Sequence, residues 1–502
     1  VTENLDDEAI EDLLKRAGEG QEGEVSFLRR YYRHVAPEDL LNREPQALRA
    51  VADGHRELAV ERPPGTAVVK ILLPGHDGPS GCSAIEIVTD DMPFLVDSVT
   101  AALTGNGIGI HLLLHPQLVV RRDAAGSLTE LLTEVDPHDA PADSIIESWM
   151  RLEIDRITSE QAEQLREEVL RVLGDVRDAC EDWPKMRGMA MGIADELDKH
   201  TGGVGLLPSE EVTEGAEFLR WLADNHFTFL GYREYTLVER DGEDALVAVP
   251  GTGLGILRAD KPVSHGFGRL SEEGRAKARE PRLLVLTKAN SRATVHRPTY
   301  MDYLGIKTFD EAGKVVGERR FLGLFTASAY NESIDQIPAL RHKAELVMDM
   351  SGFQPASHGG KDLAQVLETY PRDDMFQISA SDLYKTAMGV LQLQERRRVR
   401  LFLRRDDYGR FLSCLVYLPR DRYNTRVRLR MQEILLEELG GKSIDYTLRV
   451  TESVLARVHF VVRVGQAFPD DIDVTAIEQR LVAAARSWED ELGDALIDIH
   501  GE

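Results

Sequence analysis

The stretch Ser83–Arg122, SAIEIVTDDMPFLVDSVTAALTGNGIGIHLLLHPQLVVRR, limits most tightly what this chain can fold into. Ala84, Ile85, Ile87 and Val88 form a short apolar strand that stops at the acidic pair Asp90-Asp91. Asp91 is placed to cap a following helix and Pro93 to sit in its first turn, where no backbone N–H is required. Leu95, Val96, Val99, Ala102 and Leu103 then recur at helical spacing. Gly105-Asn106-Gly107 closes the helix, because these residues tolerate a left-handed backbone, and an apolar strand from Ile110 to Val120 returns. One helix between two strands in so few residues lays a face on a sheet.

The unit extends in both directions. Thr66–Leu73 reads as a strand leading in, and Ser144–Ile157 alternates apolar and polar residues like a half-buried strand. Thr158 and Gln161 make a capping box for a helix with Ala162, Leu165, Val169, Val172, Val176 and Cys180 on one face. Strand, helix, strand, strand, helix is most of a ferredoxin-like split βαββα unit, an α+β sandwich with helices on one face of an antiparallel sheet. Two packing helices, Asp6–Arg16 and Val25–His34, precede it. Aromatics beside arginines in Phe27–Leu41 are assigned to core contacts, since a net charge of -26 argues against a nucleic-acid surface.

Thr201–Pro208 reads as a glycine-rich linker, followed by a helix over Glu211–Asn225. Strands are expected at Phe227–Val238, Ala245–Val249, Arg282–Leu286, Tyr300–Phe309 and Val315–Ser328. Turns fall at Glu243-Asp244, Gly251–Gly255 and Glu311–Gly313, giving a compact sheet with one concave face that could hold a small ligand, a filled apolar core being the favoured reading. A helix over Ile334–Met350, a turn-rich segment Ser357–Ser379 and a helix over Ala380–Gln394 come next. The hairpin Val399–Arg404 and Phe411–Leu418 opens a second module. Helix Thr425–Leu439, strands Ile444–Val450 and Val454–Val464, and helix Val474–Leu492 complete it, repeating the order of the first.

At 502 residues the chain has room for several domains. Its acidity argues against nucleic acid and anionic membrane as partners. It holds no apolar run of ~18 residues, and its acidic start, VTENLDDEAIEDLL, lacks a signal-peptide pattern, so a cytoplasmic location is expected. Cys82, Cys180 and Cys414 are too far apart for a zinc spacing or a disulfide framework. His111 and His115 would share a strand face without a third metal ligand nearby. Gly105-Asn106-Gly107-Ile108-Gly109 and Gly251-Thr252-Gly253-Leu254-Gly255 come nearest to a dinucleotide fingerprint, but each lacks the third glycine and reads as a turn. Lys361, after Gly359-Gly360, reads as part of a solvated turn. No catalytic, cofactor-binding or metal-ligating residue is assigned. Between Glu395 and Arg430 stand twelve arginines against four acids. Arg396, Arg397, Arg398, Arg400, Arg404 and Arg405 lead this stripe, read as a basic surface that docks on acidic neighbouring domains or subunits in preference to a nucleotide or polyphosphate site.

TDDMPFLVDSVTAALT from Thr89, NHFTFLGYREY from Asn225, HRPTYMDYLGIK from His296 and RRFLGLFTASAY from Arg319 carry a family resemblance. SHGGKDLAQVLETYPRDDMFQIS from Ser357 and RRRVRLFLRRDDYGRFLSCLVYLPRDRYNT from Arg396 complete it. Together they resemble the N-terminal region of the large bacterial NAD-specific glutamate dehydrogenases. The resemblance implies a parent enzyme that interconverts L-glutamate and 2-oxoglutarate with NAD as cofactor, with its catalytic domain elsewhere. It also implies ACT-like modules flanking a β-rich PAS-like module, a homo-oligomeric parent and a possible amino-acid effector. The boundaries drawn are a helical segment over 1–65, an ACT-like module over 66–200, a PAS-like module over 201–335, a connector over 336–395 and a second ACT-like module over 396–502. Effector-binding ACT loops resemble Asp90-Asp91-Met92-Pro93-Phe94, but with glycine after the proline; Phe94 there makes scaffolding the favoured role. A free-standing amino-acid sensor or protein-interaction module is the competing expectation.

Overall fold

The computed structural model describes residues 2–75, 81–199, 207–240, 243–258, 277, 279–393, 396–451, 453–465 and 471–486. Six of the eight residues of the expected linker, 201–206, lie outside them, as do residues 487–492 of the last expected helix. The chain forms two compact units, one of residues 1–186, 254–259 and 291–301 and one of the remainder.

The first unit opens with four helices, α1 (Thr2–Ala17), α2 (Glu22–Tyr31), α3 (Pro37–Leu41) and α4 (Pro45–Leu58). Its sheet holds β1 (Val68–Leu72), β2 (Ser83–Asp90), β3 (Ile110–Leu114), β4 (Gln117–Arg122), β5 (Leu128–Leu131) and β6 (Ile145–Ile154). The strand order is β1-β2-β6-β4-β5, with β3 also beside β6. Helix α5 (Leu95–Gly105) joins β2 to β3, and α6 (Ser159–Asp198) follows β6. The capping box at the start of α6 forms: Thr158 N–H donates to Gln161 Oε1 at 2.9 Å and Gln161 N–H to Thr158 Oγ1 at 3.3 Å.

Three expectations are corrected in this unit. The single strand Ile110–Val120 is two, because Pro116 has no N–H for the ladder and the chain breaks before it. Strand β6 is not half-buried. Val88, Leu114, Leu118, Val120 and Trp149 share a core with Phe27, Leu28, Tyr31, Tyr32, Leu48 and Ala52 of the N-terminal helices. Ile87, Met150 and Leu152, on the opposite sheet face, are fully buried as well. The N-terminal helices therefore cover the sheet face that the split-unit pattern leaves open. Helix α6 also runs far past Cys180, with Pro184 inside it.

In the second unit, α7 (Ser209–Trp221) precedes β7 (Phe227–Arg240) and β8 (Glu243–Ala248); β9 (Leu254–Gly255) lies in the first unit. With β10 (Leu284–Arg292), β11 (Tyr300–Phe309) and β12 (Val315–Phe325) the order is β10-β11-β12-β7-β8. Glu243-Asp244 begins β8 instead of making a turn. Aromatic side chains fill one face of this sheet: Phe321 lies 5.4 Å from Phe229 and 4.8 Å from Tyr232, centroid to centroid.

Helices α8 (Ala327–Asn331), α9 (Leu340–Ser351), α10 (His358–Thr369), α11 (Arg372–Gln377) and α12 (Ala380–Leu393) follow. The expected helix from Ile334 starts only at Leu340, because Ala339 takes a left-handed φ of 68° after Pro338. The segment expected to be turn-rich is largely helical. Ser357 caps α10 by accepting from Gly360 N–H at 3.1 Å, and Pro371 separates α10 from α11. A Cβ on Gly360 would lie 2.3 Å from Gln354 O, so only glycine fits that turn.

The last module is a four-stranded antiparallel sheet, β13 (Arg400–Arg405), β14 (Phe411–Pro419), β15 (Gly441–Arg449) and β16 (Leu455–Val464), in the order β13-β14-β16-β15. Helices α13 (Thr425–Glu438) and α14 (Val474–Ala484) supply Met431, Leu435, Ile477 and Leu481 to its core, against Cys414, Val416, Val458 and Phe460.

Candidate functional site

The loop Asp90-Asp91-Met92-Pro93-Phe94 leaves the end of β2 in the first unit, where the sequence places it, and its groups are already bound within that unit. Asp90 sits between Arg62 at 2.6 Å and Arg177 at 2.7 Å. Burial alone would raise its pKa, but the two guanidinium groups outweigh it and hold the carboxyl below the usual range. Asp91 does not cap α5: its carboxylate accepts from Ser148 Oγ and, at 2.8 Å, from Gln117 Nε2. The Pro93 carbonyl faces Cys180 Sγ at 3.7 Å. The thiol pKa is pushed up to about 11 by burial.

Phe94 is the N-cap of α5 and takes the left-handed conformation, φ 70°. The loop thus has the backbone shape that favours glycine, carried by a phenylalanine at a cost of ~1 kcal/mol. What holds it there is His296, itself at φ 70°, whose ring centroid lies 4.9 Å from that of Phe94. His296 N–H donates to Ser98 Oγ at 2.9 Å, and His296 Nδ1 lies 3.1 Å from Asp97. Segment 291–301 therefore caps the N-terminus of α5 from within the unit.

Beneath the loop lies a buried ionic cluster that sequence reasoning missed. Arg62 is 1 % exposed and Glu147 0 %. Glu147 accepts from Arg62 Nε at 2.8 Å, Arg122 Nε at 2.6 Å and Trp149 Nε1 at 2.9 Å. Arg62 also donates to Thr66 O at 2.9 Å, so its fork is committed to structure. Partners 85 residues apart leave no local sequence signal. Only a basic residue after the apolar run of α4 hints at it.

The arginine stripe does not form one free surface. Half-buried Arg404 pairs with Asp374 at 2.6 Å, and Asp374 also accepts from Tyr370 Oη at 2.8 Å. Arg397 pairs with Asp421 at 2.8 Å, and Arg400 with Glu478 at 2.9 Å while also lying over the Phe402 ring. Arg405 has a partner too. Arg396 and Arg398 are exposed. Arg404 thus ties β13 to α11 and Arg400 pairs with α14, while Arg397, Arg400 and Arg405 also keep exposed side chains.

The other motifs are also accounted for. Asn106 is the C-cap of α5 and Gly107 takes φ 72°, so this glycine motif presents the carbonyl end of a helix, which repels a pyrophosphate. Gly255 of the second motif donates its N–H to Asp182 at 2.9 Å. His111, on β3, lies 2.9 Å from Asp155, and His115, just past the end of β3, lies 2.8 Å from Ser148 Oγ, so each is engaged by a different partner. Lys361 is exposed in the first turn of α10. No group of three or more His, Cys, Asp or Glu among the described residues could hold a metal ion. Among them too, no helix is long and apolar enough to cross a membrane.

Fold and loop geometry define a multidomain α+β protein with ACT-type domains. Three family models match: the glutamate dehydrogenase ACT1 domain over residues 27–169, helical motif 1 over 337–396 and the ACT2 domain over 400–489. The chain is homologous to the N-terminal part of large NAD-specific glutamate dehydrogenases. It is 39% identical to the NAD-specific glutamate dehydrogenase of Halomonas elongata over 499 residues, 98% of this chain and 31% of that protein. It is 41% identical to that of Pseudomonas aeruginosa over 429 residues, 85% of this chain and 26% of the relative. With that of Mycobacterium tuberculosis it shares 32% identity over 462 residues, 88% of this chain and 27% of the relative. The chain therefore spans less than a third of the length of these relatives.

Proposed function

We propose that this chain is a regulatory and assembly region of a large NAD-specific glutamate dehydrogenase and is catalytically silent by itself. The parent reaction would be L-glutamate, NAD and water to 2-oxoglutarate, ammonium and NADH, carried out by a domain outside these residues. The observation that carries the reading is the similarity of 98% of the chain to 31% of such an enzyme, running through two ACT-type domains and a helical motif. The β-rich middle is read as a PAS-like module on its strand content. The first ACT-type loop acts as scaffold in this reading, because Asp90 is paired with Arg62 and Arg177, Asp91 is held by Ser148 and Gln117, and the glycine position is filled by Phe94 packed on His296. Assaying the isolated chain for glutamate-dependent NAD reduction beside the full-length enzyme tests it. Turnover by the full-length enzyme alone is expected, and sustained turnover by the isolated chain would overturn the reading.

A further inference from the structure

The second unit holds a cleft of about 820 Å³, within the size range of small-molecule sites. Its walls come from α7, the start of β10, α9, the end of α11 and the β13–β14 turn; Arg282, Lys343, Gln377, Arg404 and Tyr408 are among them. Three cations cluster here whose charge is answered by backbone or by nothing. Lys343 Nζ donates to Met375 O at 2.8 Å and Phe376 O at 3.2 Å, the carbonyls at the end of α11. Lys307, behind the wall, donates to Lys277 O at 2.6 Å and Glu280 O at 2.7 Å. Arg282 is exposed, and among the described residues none of the three makes an ion pair with a carboxylate. Of the acids in the walls, Glu211 accepts Leu283 N–H at 2.8 Å, Glu214 accepts Ala339 N–H at 2.9 Å and Asp406 accepts Arg410 N–H at 3.1 Å. Glu217 pairs with Arg341 at 2.8 Å, and Glu280 and Asp407 pair with Lys277 at 3.1 and 3.6 Å, while Glu210 and Glu345 are exposed. The Gln377 amide oxygen, also in the wall, is buried without a hydrogen-bond donor.

We infer that this cleft binds a small divalent oxyanion, a dicarboxylate or a phosphate, with Arg282 as its fork and Lys343 as its second cation. The Lys343 ammonium is answered only by the Met375 and Phe376 carbonyls, and the exposed Arg282 guanidinium by no carboxylate among the described residues, which leaves both to an arriving anion. The guanidinium geometry suits a two-oxygen acceptor, and the free Gln377 oxygen can accept from the P–OH of hydrogen phosphate, a donor that a dicarboxylate dianion lacks. Electrostatics around the two lysines agree. Burial, then Arg282 and Arg404, bring Lys343 down to about 7, with Asp374 and Glu214 opposing. Burial brings Lys307 down to about 8, with Arg282 and Lys277 adding to it against Glu318 and Glu280. An arriving anion reverses this, so both lysines take up protons as it binds.

The inference rests on the cleft and not on the dehydrogenase reading, and a failed test leaves that reading standing. Calorimetry on the 502-residue chain at pH 8, with sodium succinate and sodium phosphate as separate probes in two buffers of different ionisation enthalpy, tests it. Binding of either probe with a buffer-dependent heat, signalling proton uptake, is expected. Succinate alone would assign a carboxylate site and phosphate alone a phosphate site. Arg282→Gln, at an exposed side chain, should melt like the parent chain and weaken binding roughly tenfold or more. Lys343→Met should reduce the proton uptake, and a folded chain by far-UV circular dichroism is the condition for reading it. No binding of either probe up to ~10 mM, or binding unchanged by Arg282→Gln, would overturn the inference.

Discussion

His55 offers a stability switch whose size follows from its surroundings. It lies on α4 fully buried beneath β2, with Nε2 3.2 Å from Ile87 O and Nδ1 2.8 Å from Tyr31 Oη. A carbonyl only accepts, so Nε2 carries the proton and Nδ1 accepts from the tyrosine. The ring is neutral and satisfied, and a second proton would displace the Tyr31 bond. Burial brings its pKa down to about 3, opposed by the Ile87 carbonyl and helped by Arg151. The unfolded ring protonates near pH ~6.5, so below that the unfolded chain binds more protons than the folded one. The stability held by the neutral ring is complete above pH ~6.5 and drains as pH falls towards the folded value, by ~1.4 kcal/mol per unit. Between pH ~6.5 and ~5 the loss is about 2 kcal/mol. Urea unfolding of the chain and of His55→Gln at a series of pH values measures it. Hydrogen exchange at the histidine C2 position, read by mass spectrometry, follows the ring directly. A parent chain whose midpoint falls with acid no faster than that of His55→Gln, or a His55 ring that titrates near pH ~6.5, would refute the reasoning.

Three further outcomes are expected. Arg62→Met removes one of the two arginines on Glu147 and one of the two on Asp90, so it should cost ~2–3 kcal/mol and show as a lower melting temperature by circular dichroism; an unchanged melt would mean that the cluster carries no net stability. Gly126→Ala places a Cβ 2.2 Å from Arg62 O at φ 97°, and should destabilise the same unit by over ~2 kcal/mol in urea titrations, whereas a neutral outcome would show that the turn can open. Phe94→Gly exchanges ~1 kcal/mol of backbone strain for a lost aromatic contact of similar size, leaving the melt nearly unchanged. Calorimetric titration of that variant with glutamate and aspartate should detect nothing tighter than ~0.1 mM, because Asp90 and Asp91 stay engaged; tighter binding would make the loop a latent effector site.

What the sequence made legible was local. The helix cap at Thr158 and Gln161, the strand Tyr300–Phe309 and the strand–helix–strand–strand–helix order of the last module rest on neighbouring residues, and their apolar periodicity is strong. What escaped it depends on contacts distant in sequence. The N-terminal helices could not be assigned to the open sheet face, because nothing in Phe27 or Tyr31 names Trp149 as a neighbour. Segment Ser357–Ser379 was misread for another reason: its glycines, Pro371 and acids resemble turn chemistry, while Leu363, Leu367, Met375 and Phe376 supply the buried helical faces. The loop Asp90–Phe94 falls between β2 and α5, where apolar periodicity puts it, yet its closure by His296, 199 residues from Asp97, is a tertiary fact. The arginines were visible as a charge run, but their partners Asp374 and Glu478 were not.

The central claim is that these residues organise and regulate an enzyme whose chemistry lies elsewhere. Its most direct test is multi-angle light scattering, with steady-state kinetics on the same samples, of a full-length NAD-specific glutamate dehydrogenase carrying this region and of one lacking it. The account predicts that the shortened enzyme still forms NADH from glutamate but has a different oligomeric mass. Loss of all turnover in a folded shortened enzyme, or an identical assembly in the two, would contradict it.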